Sequence, residues 1–150
     1  MNGRLRAWWA LPGSEKTTLL WLMVALPLVS LLLRLAGYVR ARALIERWSP
    51  ASTPRAADPA ELQSAERLAR LAAIAGRRGA IAATCLRQSL LLHFLLRRRG
   101  LGPELKLGVR KHDGNFDAHS WVELQGQPLA QDGLDHVELA RPHDGATGFV

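Results

Sequence analysis

Residues 17–33 run for the length of a long helix without one charged side chain, and no other feature constrains the fold as tightly. Leucine and valine dominate the run, joined by Trp21 and Met23. It is just long enough to cross a bilayer as a helix. Ser14 and Glu15 ahead of it predict the helix start, with Ser14 as cap and an acid in the first turn. Pro27 in the middle predicts a kink. As a soluble helix the run would have to bury apolar side chains all round, because it has no polar stripe. A chain of 150 residues is too small to wrap it alone, so a partner protein or a membrane must cover part of it. Basic residues flank both ends, which leaves the orientation of a span undetermined. The preferred reading is a helix docked on the rest of the chain and on a partner, with a membrane anchor through residues 17–33 as the rival. A cleaved signal peptide is disfavoured, because only two arginines precede the run and no small-residue cleavage pattern follows it.

Composition divides the chain into three regions: an apolar helical segment over 1–50, a linker over 51–59, and a domain over 60–150. The linker is marked by prolines among small polar residues. Asp58-Pro59 then caps and opens a helix that carries Leu62, Ala65, Ala69 and Ala72 on one stripe and ends near Gly76. Residues 85–100 read as a buried helix, with Thr84 as its cap and Cys85 in its first turn. Arg97, Arg98 and Arg99 fill its last turn and Gly100 stops it.

From Leu105 the period changes to two. Leu105, Leu107 and Val109 alternate with Lys106, Gly108 and Arg110, which predicts a strand. Residues 112–115 form a turn. A second strand over 118–124 puts His119, Trp121 and Glu123 on one face and Ala118, Ser120, Val122 and Leu124 on the other. A turn over 125–128 precedes a short strand at Leu129-Ala130. Beyond about Arg141 the tail is expected to be loose. The fold class is therefore α+β.

Net charge is +7 and nearly half of the chain is apolar, so a packed core is within reach. The basic balance alone would suit nucleic acid, an anionic membrane or an acidic peptide. Nucleic acid is not expected, since no interleaving of basic and aromatic residues and no binding motif accompanies the charge. The single cysteine, Cys85, cannot form an intrachain disulfide. No zinc-ligand spacing is present, and neither a metal nor a cofactor is expected.

A cysteine at a helix start, a histidine on a strand and an acid past the next turn form a nucleophile, base and orienter in order of appearance. The attacking species of a cysteine enzyme is the thiolate, and a helix N-terminus and a nearby imidazolium both favour it. A strand holds an imidazole still, and a carboxylate beyond it can fix the tautomer. Each residue also has a bland reading. A lone cysteine in an apolar helix is most often a small core residue. His119 could be a partly buried strand histidine. His93, two turns along the helix from Cys85, reads as a packing residue. His112, His136 and His143 lie in turn-like or terminal contexts. Asp117, Asp132 and Asp135 could each be a loop acid.

Five segments in order sharpen the choice: residues 85–90 (CLRQSL), 95–100 (LLRRRG), 107–110 (LGVR), 116–123 (FDAHSWVE) and 126–129 (GQPL). Together they resemble the lasso-peptide B-type maturation protein, a microcin-processing, transglutaminase-like leader peptidase. The resemblance covers about residues 60–139, and an apolar N-terminal helix is consistent with it. It implies a small transglutaminase-like, papain-like cysteine peptidase domain with Cys85 as nucleophile, His119 as base and Asp132 as the acid, Asp135 standing close by as the alternative. It further implies a cytoplasmic enzyme that removes the leader from a precursor peptide beside a separate leader-binding protein and a macrolactam-forming cyclase. The family usually has alanine where Ser120 stands. The alternative function is a catalytically inert scaffold of the same fold that binds a precursor peptide or a partner enzyme.

Overall fold

The computed structural model describes residues 12–49, 55–78, 85–112, 115–129 and 137–138. Three helices precede a small antiparallel sheet: α1 (Gly13–Trp48), α2 (Pro59–Arg78) and α3 (Cys85–Arg98), then β1 (Pro103–His112), β2 (Asn115–Leu124), β3 (Gln127–Pro128) and β4 (Val137–Glu138). The sheet order is β3-β2-β1-β4. The architecture is α+β, with one long apolar N-terminal helix.

Helix α1 departs from the sequence reading in two places. Its cap is Pro12, which makes no side-chain bond, and not Ser14. The Ser14 carbonyl instead accepts the hydroxyls of Thr17 and Thr18, each at 2.9 Å, so Ser14 is already inside the first turn. The break in α1 falls at Gly37 (φ 72°, ψ 170°) and not at Pro27, which stays helical. Proline removes one backbone bond, but Leu22 and Leu26 beside it are buried in the core, and tertiary packing outweighs that loss. The Gly37 conformation is one that only glycine adopts readily. There the chain reverses. A continuous helix would hold Trp21 and Trp48 about 40 Å apart, yet both line one cavity.

The first arm of this hairpin packs on α2 and α3 through Leu19, Leu22, Ala25 and Leu26, and the second adds Ile45. These residues share one core with Ala65, Leu68, Ala69 and Ala72 of α2, Leu90 and Leu96 of α3, and Leu105, Val122 and Leu124 of the sheet. At about 100° per residue, the opposite side of the first arm carries Leu20, Val24, Leu28, Leu31 and Leu35, all exposed. So α1 is docked along one side and apolar along the other.

Helix α2 opens on a reciprocal cap. Glu61 N–H donates to Asp58 Oδ1 at 2.8 Å and Asp58 N–H donates to Glu61 Oε2 at 3.1 Å. Arg55 Nη1 donates to the same Glu61 carboxylate at 2.7 Å, and Arg55 N–H donates to the Gly100 carbonyl at 3.2 Å. The end of the predicted linker is thereby tied to both α2 and the end of α3. Helix α3 stops where expected. Gly100 has φ 78°, its N–H donates to Arg97 O at 2.9 Å, and Leu101 N–H donates to Leu96 O at 3.2 Å. Leu96 and Leu101 are both buried, which adds the apolar contact that this stop usually carries.

Strands β1 and β2 pair from Pro103↔Leu124 to His112↔Asn115, which leaves Asp113 and Gly114 between them. Both strands are longer than the alternation alone indicates. A short strand lies at Gln127–Pro128 and Leu129 turns into the core, while Ala130, the second residue of the strand expected after the turn, lies outside the described residues. β4 pairs with β1 at Gly108↔Glu138 and Val109↔Val137 and was not anticipated.

Candidate functional site

Cys85 is the first residue of α3, at the end of the helix where backbone N–H groups point outward. At helical spacing, Gln88 and Ser89 share its face. All three line a cleft of about 70 Å³, with Leu92 below them. His119 enters the cleft from β2, together with Ser120 and Val122. The remaining wall is Ala69, Ala72 and Ala73 of α2, with Leu129. A space this size holds a few waters or one small group. Cys85, Gln88 and Ser89 of α3 and His119 and Ser120 of β2 therefore border one small space above an apolar floor.

The sheet sets the His119 position. The residue pairs with Gly108 across the β1–β2 ladder. Its ring stacks on Trp121, with centroids 6.2 Å apart and planes 18° from parallel. Trp121 is held in turn, its Nε1–H donating to Glu123 Oε1 at 2.9 Å. Residues 119, 121 and 123 thus occupy one side of β2, as the alternation predicts. Val122 and Leu124 face the helices, and Ser120 does so with a specific bond. Ser89 Oγ donates to the Ser120 carbonyl at 2.9 Å, joining α3 to β2.

Gln88 is seated by a glycine. A Cβ placed on Gly76 of α2 would lie 2.2 Å from Gln88 Nε2 and 2.7 Å from its Cδ. The amide therefore rests directly against the α2 backbone. Neither Gln88 nor Ser89 stands out in the sequence beyond the CLRQSL segment. The usable signal was their spacing of three and four residues from Cys85.

His93 is buried within α3 and does not line this cleft, in keeping with a packing residue. Thr84, Asp132 and Asp135 lie outside the described residues, as do His136, His143 and the tail beyond Arg141. Asp117 lies on β2, two residues before His119. Among the described residues, no group of three or more His, Cys, Asp or Glu is placed to hold a metal ion.

The family model of the transglutaminase-like superfamily matches residues 25–141, from inside α1 to beyond β4. The chain belongs to the transglutaminase-like superfamily. That superfamily includes cysteine peptidase-like members, and its catalysis is often cysteine-based. The matched range includes every residue that lines the cleft, Cys85 and His119 among them. Comparison with curated proteins and with solved structures gave no match.

Proposed function

We propose that this transglutaminase-like protein is a cysteine peptidase that removes the leader from a ribosomally made lasso-peptide precursor. The observation that carries the reading is the shared cleft: Cys85 at a helix start and His119 on a strand open onto the same small space. The resemblance of the five segments to the B-type maturation protein supplies the substrate class.

In this mechanism the Cys85 sulfur attacks the scissile carbonyl and forms a tetrahedral intermediate. The C–N bond breaks as protonated His119 gives its proton to the leaving amine. A water then attacks the thioester while His119 takes its proton. The C–S bond breaks, the acid product leaves, and Cys85 is restored. Asp132 orients the imidazole, with Asp135 as the alternative. A separate leader-binding protein presents the precursor, because the small cleft offers little surface for reading a leader. A macrolactam-forming cyclase receives the cleaved core. The catalytic domain works in the cytoplasm, where the precursor is made.

The test is leader cleavage followed by mass spectrometry, using a precursor and the leader-binding protein from the neighbouring genes. The full-length chain should release the leader, and Cys85→Ala and His119→Ala should each abolish release while keeping the helical circular dichroism. A Cys85→Ala variant that still cleaves would refute the mechanism. Slow alkylation of Cys85, as for a buried thiol, would favour the inert scaffold.

A further inference from the structure

We propose that the α1 hairpin is a docking face for an anionic phospholipid bilayer, lying flat on the leaflet with an acyl chain entering the cavity beneath it. The cavity, of about 290 Å³, lies where the two arms of α1 meet α3. Trp21, Leu28 and Leu32 of the first arm, Trp48 of the second, and Leu91 and Phe94 of α3 form most of its wall. Apart from the indole nitrogens, no lining side chain carries a hydrogen-bonding atom. Such a pocket selects hydrocarbon.

The surface around the cavity has the same character. Leu20, Val24, Leu28 and Leu31 form an outward stripe about 17 Å long, and each is more than half exposed. A protein partner would ordinarily meet hydrogen-bonding groups at about one per 100–200 Å², and this stripe offers none. Exposed cations accompany it. Arg34, Arg40 and Arg47 of α1 are exposed. Arg98 is also exposed, and its guanidinium lies 5.8 Å from the ring centroid of Phe94, a cavity wall. An apolar stripe with indoles at the cavity, exposed arginines on the same helix and one at the cavity wall is complementary to acyl chains beneath a layer of phosphates.

A spanning orientation does not suit this arrangement. The inner side of the first arm is already occupied, with Leu22 fully buried and Leu26 at 2% exposure in the protein core. Crossing the bilayer would expose that core. Lying flat keeps it intact and covers only the outward stripe.

Flotation of the full-length chain, diluted from mild detergent onto vesicles, tests the proposal. The chain should float with mixed phosphatidylglycerol–phosphatidylcholine vesicles, and binding to phosphatidylcholine alone should be much weaker. Leu28→Asp, at an exposed position, should abolish flotation with the helical circular dichroism unchanged. Arg98→Gln should weaken binding about fivefold at low salt, the effect of one basic residue at an anionic surface. Alkaline carbonate should release the wild-type chain. Three results would each overturn the proposal: flotation of Leu28→Asp like wild type, retention of the wild type in carbonate as a spanning protein, or a stable soluble homodimer indifferent to both vesicle types.

Discussion

Ser89 Oγ and the Ser120 carbonyl are joined by a buried 2.9 Å hydrogen bond that fixes α3 against β2. Ser89 is four residues past Cys85 and Ser120 is next to His119, so this bond ties together the two segments that carry the proposed nucleophile and base. The Ser120 hydroxyl adds only a long contact to Ser89 Oγ, at 3.5 Å. Ser89→Ala removes the donor and leaves a buried carbonyl without it, at a cost of about 1 kcal/mol in urea unfolding. Ser120→Ala keeps the main bond and should change stability and cleavage little. Equal losses from the two variants would contradict the assignment of the bond to the Ser89 hydroxyl.

Gly76→Ala makes a different test of the cleft. The added methyl meets the far end of the Gln88 side chain, which can swing away. Stability should therefore stay within about 1 kcal/mol of wild type, helped by the better helix propensity of alanine. The cleft should nevertheless change, because the displaced amide lines it. Cleavage by Gly76→Ala should fall severalfold, and the same change should have little further effect in a Gln88→Ala background. Additive losses in that double-mutant cycle would mean that Gly76 acts by another route.

Glu61 gives a pH signature remote from the cleft. The bond from Arg55, then that from the Asp58 backbone N–H, holds the Glu61 carboxyl down from its ordinary 4.5 to about 2. A carboxyl lowered by folding stabilises the native state above its unfolded value, and the contribution is lost as pH falls through the folded one. Wild type should melt above Glu61→Gln at pH 7, with the gap closing between about 4.5 and 2. A gap that is constant over this range would show that the charge has no part in it.

The third member of the proposed triad is open to a direct comparison. An orienting acid acts through the imidazole, so its removal should cost less than loss of Cys85 or His119. Asp132→Ala should lower kcat and leave residual cleavage, while Asp135→Ala should have a smaller effect. The reverse order of the two variants would move the role to Asp135.

Strong periodicity explains which parts of this fold were readable. The alternation from Leu105 onward, the Asp58-Pro59 start and the Gly100 stop are each local signals with one physical meaning, and each is realised. β4 was unreadable because two residues carry no period and are ordered by pairing with β1. In α1, sequence pointed to Pro27 because proline is the stronger local breaker. The outcome was set by burial on either side of Pro27 and by a turn that only Gly37 can make. At the cleft, the ordered segments single out Cys85 and His119, and both line it. Ala72 and Ala73 were not distinguishable from ordinary helix packing, since a cleft wall and a core stripe demand the same small residues.

The reversal at Gly37 also leaves the molecule with a conditional shape. Only one residue separates a hairpin from a rod, and a Cβ there would meet no atom within 4 Å, so backbone preference alone makes the difference. With a branched residue such as valine at this position, the arms would run on as one shaft of about 54 Å. The 38–48 arm would leave its own core, and its buried Ile45 would seek the vacated place on another copy. Gly37→Val should therefore trade arms between molecules and yield concentration-dependent, exchanged dimers in light scattering, so that one glycine acts as the determinant of self-containment for the whole chain.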